Sequence, residues 1–174
     1  SRLLRRHIAD GGRAIERNGE PANQSVIRHH VLPHVPLCFL WWPDGDQVVP
    51  FGKFDEGALQ RWLKAFDRPE GSTPLGQALE VAGAAVLASP MPRKHVLILT
   101  DGINTRGPDP AAVIPKLRER AAGLKSAVAY HFVAFDVDAK EFSRVKKLGA
   151  TVVGAVDERQ LNSQLEFILQ EKIL

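Results

Sequence analysis

Residues 94–104, Lys-His-Val-Leu-Ile-Leu-Thr-Asp-Gly-Ile-Asn, restrict the possible folds more than any other stretch of this chain. Val96 to Leu99 is apolar at every position, and the run ends abruptly in Thr100, Asp101 and Gly102. A strand without polar alternation has both faces covered, which calls for a central place in a parallel sheet with helices on each side. Such folds gather their ligands at the carboxyl ends of the strands. Asp101 therefore falls where chemistry is usually found, and Gly102 lets the chain turn tightly away from it.

The neighbouring segments fit that frame. Val35 to Trp42 is a dense apolar run, followed by Pro43-Asp44-Gly45-Asp46 and then Val48 to Phe51, a pattern that predicts a hairpin with an Asp-Gly turn. Ala58, Leu59, Trp62, Leu63 and Phe66 give residues 55–66 an amphipathic helical spacing. Thr73-Pro74 reads as a helix opening, with threonine as N-cap and proline at the first helical position. The helix extends to about Ala88, with Leu75, Ala78, Leu79, Ala82 and Val86 on its buried face. Past the turn-rich loop from Asn104, Asp109-Pro110 opens a second helix, to about Leu124, by the same logic. Ala127 to Phe135 reads as a strand, Ala139 to Leu148 as a helix, Thr151 to Val156 as a strand and Glu158 to Leu174 as a helix. This alternation predicts a three-layer, Rossmann-like α/β fold: a mostly parallel sheet with one antiparallel edge hairpin, right-handed crossovers and helices on both faces. Residues 1–34 are the least readable part, broken by Gly11-Gly12, Pro21 and Pro33.

Composition narrows the function classes. At 174 residues, with 44% hydrophobic and 25% charged residues, the chain is expected to form one domain of ordinary globular character. A net charge of +3, with a basic stripe only at Arg2, Arg5 and Arg6, argues against nucleic acid as a partner. No apolar run reaches membrane-span length and no signal peptide is visible, so a soluble chain is expected, with a cytoplasmic location favoured. Cys38 is the single cysteine, which excludes an internal disulfide framework. Since the sequence opens at Ser1 and Met91 is its one methionine, it reads as a piece of a longer protein.

Two motifs then stand out together. Gly71-Ser72-Thr73-Pro74-Leu75-Gly76-Gln77-Ala78-Leu79 resembles the second motif of the von Willebrand factor type A domain, where a glycine-rich turn presents a threonine just ahead of a helix. Leu99-Thr100-Asp101-Gly102 resembles the third, at the end of the next strand. The order of elements over residues 35–174 is similar too, and Tyr130 to Asp138 resembles a strand ending common in bacterial members. The resemblance implies a protein–protein interaction module rather than an enzyme. It also implies a metal-ion-dependent adhesion site, in which Thr73 and Asp101 would bind Mg²⁺ and the ion would take a carboxylate from a partner protein. Mg²⁺ wants about six oxygens and keeps several waters, so hydroxyls and carboxylates from adjacent loops suit it.

The first motif of that family, Asp-x-Ser-x-Ser at the end of a first strand, is missing from this sequence. That strand lies mid-sheet in the family, so three explanations stand open: it lies upstream of Ser1, part of residues 1–34 replaces it, or the fold departs from the family here. Two other readings of function follow. One is a metal-free scaffold that binds partners through helices or an exposed sheet edge. The other is a metal-assisted hydrolase using Asp101 with Asp136 or Asp138. No nucleophile elbow, phosphate-binding loop or dinucleotide fingerprint is present, and Cys38 lies mid-strand without an evident histidine partner. Asp44 and Asp46 read as turn residues, His29, His30 and His34 as a solvated segment, and Trp41, Trp42 and Trp62 as core. His95 and His131 read as core or surface residues of their strands.

Overall fold

The computed structural model describes residues 72–91 and 93–173, the backbone of 37–40 and 47–52, and residues 55, 57, 58 and 61. Strands β1 (Leu37–Leu40) and β2 (Gln47–Gly52) pair antiparallel with each other. Helix α1 (Leu75–Ala88) leads into β3 (Arg93–Thr100), α2 (Pro110–Gly123) into β4 (Ala127–Phe135), and a 3₁₀ turn at Ala139–Phe142 with the short α3 (Ser143–Lys147) into β5 (Thr151–Ala155). Helix α4 (Glu158–Ile168) continues as a π-turn over Leu169–Ile173.

The strands β3, β4 and β5 form a parallel sheet in that order, alternating with helices in the Rossmann manner. β3 and β4 stay in uninterrupted register from Arg93 opposite Ala127 to Thr100 opposite Ala134. The sheet carries two cores, one per face, because side chains alternate along a strand. Val96, Val128, Tyr130 and Phe132 face Leu79 of α1 and Ile114 and Leu117 of α2. Val133, Phe135 and Ala155 face Leu161 and Ile168 of α4. Phe132, Ile114, Leu161 and Ile168 are wholly removed from solvent, and each such burial contributes roughly 1.5–3 kcal/mol.

One expectation needs correction. The 35–51 pair was to form an antiparallel edge of the sheet, but among the described residues neither strand hydrogen-bonds to β3, β4 or β5, and no antiparallel edge is seen on the parallel sheet. Pro50 within β2 removes one ladder donor, and the β1–β2 register is irregular, both of which weaken that pairing. The turn at 43–46 lies outside the described residues, as do residues 1–34, the three tryptophans, His29, His30 and His34, and most of the helix expected at 55–66. Of that last segment, Gly57, Ala58 and Arg61 are helical, and the Asp55 carboxylate accepts a hydrogen bond from the Ala58 amide at 2.9 Å. No helix among the described residues is long and apolar enough to cross a membrane.

Candidate functional site

Thr73 lies on the short segment that enters α1, and Asp101 on the loop that leaves β3. Proline at 74 forces its predecessor into extended backbone, so Thr73 stands outside the helix. α1 starts at Leu75 with Pro74 in the cap position and no side-chain cap. The expectation that Thr73 is the N-cap is therefore corrected. Its backbone turns instead to the β3–α2 loop: the Thr73 amide donates to the Thr105 hydroxyl at 2.7 Å, and the Thr105 amide donates to the Thr73 carbonyl at 2.9 Å. A third bond runs from the Gly76 amide to the Asn104 side-chain oxygen at 3.3 Å, and the Asn104 side-chain amide donates to the Pro108 carbonyl at 3.3 Å.

This stitching brings Thr73 against the turn that follows Asp101. A Cβ placed on Gly102 would lie 3.1 Å from the Thr73 hydroxyl oxygen, so the absence of a side chain at 102 is what lets the hydroxyl stand so close. Thr100, buried at the end of β3, closes the same turn. Its hydroxyl donates to the Gly102 carbonyl at 2.8 Å, and the Gly102 amide points back to that hydroxyl at 3.3 Å. Thr73 and Asp101 are both half-buried, on neighbouring loops at the carboxyl edge of the sheet.

Asp136 and Asp138 follow β4 at the same edge. Asp136 is exposed at φ 56°, with its amide donating to the Ala155 carbonyl at 2.9 Å. The Asp138 carboxylate accepts from the Lys140 amide at 2.9 Å and so caps the 3₁₀ turn. Among the described residues no three His, Cys, Asp or Glu side chains form a group suited to a metal. A hydroxyl at 73 and a carboxylate at 101 are nonetheless both hard oxygen donors, the kind Mg²⁺ prefers. They fit the ion in kind.

Asn104 and Thr105 have no role in the sequence reading. A turn-rich loop after a strand is legible, but which of its side chains reaches back 28 or 32 residues is not. Compared with family models, with curated proteins and with solved structures, the chain has no match in any of the three. The structure establishes an α/β domain with a three-stranded parallel sheet flanked by helices, and no family is identified.

Proposed function

We propose that the chain is a protein-binding module in which Thr73 and Asp101 hold a divalent cation of the Mg²⁺ class, and the cation takes a carboxylate from a partner protein. The observation that supports this most is the approach of the Thr73 hydroxyl to the Gly102 backbone, immediately after Asp101. The likeness of residues 71–79 and 99–102 to two motifs of von Willebrand type A domains points the same way. The ion, when bound, would supply a positive centre with an exchangeable position for an outside oxygen. The chain's own part is to hold the two donor loops in register through Thr73, Thr105 and Asn104, so that hydroxyl and carboxylate face the same edge.

Calorimetric titration of the full chain with Mg²⁺ and with Mn²⁺ tests the proposal. Asp101→Ala and Thr73→Val are each expected to weaken binding at least tenfold, which is about 1.4 kcal/mol. Equal binding by wild type and Asp101→Ala, or no binding by the wild type, would sink the metal model. In that event the second reading takes over, a metal-free partner-binding edge. It is favoured by one observation, that among the described residues no three His, Cys, Asp or Glu side chains form a group suited to a metal.

A further inference from the structure

The ladder joins two histidines that the sequence leaves separate. Leu97 pairs with His131 and His95 with Ala129, so the two imidazoles are diagonal neighbours on the sheet face that carries α4. Nδ1 of His95 and Nε2 of His131 are 3.1 Å apart. The ring planes differ by 14° and the ring centres are 5.4 Å apart. That separation is what one ring radius on either side of a 3.1 Å contact gives, so the rings meet edge to edge with their nitrogens pointing at each other. One proton lies between them, donated by one ring and accepted by the other. A metal ion does not fit in line, since two Zn–N bonds of about 2.0 Å each need a wider gap.

His131 is almost wholly buried, and its Nδ1 has no hydrogen-bond partner among the described residues. A buried N–H without an acceptor is costlier than a buried lone pair. The His131 proton therefore sits on Nε2 and is donated to Nδ1 of His95. Only two positions remain for another proton: Nδ1 of His131, which has no acceptor, and Nδ1 of His95, which already accepts.

The surroundings are cationic. The π-turn 169–173 closes over this end of β3: Ile173 packs against the second core, and its carbonyl accepts a 3.0 Å hydrogen bond from Arg93. The Lys172 ammonium stands 5.4 Å from the Phe167 ring centre and acts on His131. Toward the pair, β3 presents Arg93 besides His95. On the same face β4 has Ala129 and Val133, β5 has Thr151 and Val153, and α4 has Leu165 and Ile168. Glu166 and Glu171 are exposed, and Glu166 is bonded to Gln170 at 3.1 Å. Burial pushes the His131 imidazole down to about 4, with His95 and then Lys172 adding to the effect. Burial also lowers His95, with Arg93 adding.

We propose that the His95–His131 pair is a proton-operated latch on the C-terminal turn 169–173. With one proton shared between two neutral rings, the turn lies closed. A further proton brings positive charge beside Arg93 and Lys172, and the turn opens to let water reach it. The closed turn holds His131 near 4, and opening it lets the affinity rise toward the ordinary 6.5. Closure is therefore fully favoured above pH 6.5 and is lost progressively as pH falls toward 4. For this one group, opening rises by at most about thirtyfold between pH 7.5 and pH 5.

Hydrogen exchange on the full chain, corrected for the intrinsic pH dependence of the rate, reads the latch directly. Protection of the 169–173 amides is expected to fall severalfold, up to about thirtyfold, over that range, while the Phe132 and Val133 amides of β4 keep theirs. His131→Gln, which carries a neutral side chain, is expected to flatten the response. Should that variant not fold, Lys172→Gln is expected to shrink it, and the His131 ring followed by NMR is expected to titrate well below 6.5. The proposal is overturned by wild-type protection that does not change with pH, by variants that respond as the wild type does, by equal loss in β4, or by a His131 ring that titrates near 6.5.

Discussion

Gly76, at the first turn of α1, touches the loop that ends at Pro108. A Cβ there would lie 1.9 Å from the Pro108 carbonyl oxygen, a contact with backbone that no side-chain rotation relieves. Alanine is the better helix former by about 1 kcal/mol, yet the clash outweighs that preference, because forcing extra volume into a packed contact costs typically 1–3 kcal/mol. Gly76→Ala is expected to lower unfolding free energy by about 2 kcal/mol in urea titration; a stabilised variant would show that the loop yields freely. The same contact explains why this stretch reads as a glycine-rich turn from sequence while its purpose does not. The demand on Gly76 comes from a carbonyl 32 positions away.

At the level of elements, Asp109 has two tasks. Its carboxylate caps α2 by accepting from the Ala111 amide at 2.7 Å and also pairs with Arg144 of α3. The cap carries most of the energy, since the ion pair is largely exposed and such pairs contribute little. Asp109→Ala is expected to cost about 1 kcal/mol and Arg144→Ala less than about 0.5 kcal/mol, both measured by thermal unfolding. The Asp-Pro opening, like the apolar runs of β3 and β4, acts through residues adjacent in sequence, which is why α2, β3, β4 and β5 are legible within a few residues. The segment 139–148 reads as one helix but divides at Ser143, and the last helix ends at Ile168 before changing to π geometry. Both depart from plain α periodicity where tertiary contacts take over. Thr73 and Asp101 are legible because a strand end and a helix entry mark them locally. Thr105, Asn104 and the pairing of His95 with His131 are not, because each depends on strand register or loop contact across 28 or more residues.

Across the described sheet, the two cores share the strands β3, β4 and β5 but no helix. Ile114, on α2, and Ile168, on α4, are both fully buried on opposite faces. Each shortened to valine is expected to cost about 1 kcal/mol. Without shared partners the double variant is expected to equal the combined cost within about 0.5 kcal/mol. A larger coupling in denaturant titration would mean that the faces communicate through backbone shifts of the strands they share. The paired hydrogen bonds between Thr73 and Thr105 have a consequence of their own at this scale. They close residues 73–105, with α1 and β3 inside, into a non-covalent ring whose seam lies at the carboxyl edge. A ligand arriving at that edge meets loops whose freedom was surrendered when the chain folded, so little ordering entropy is left to subtract from its affinity.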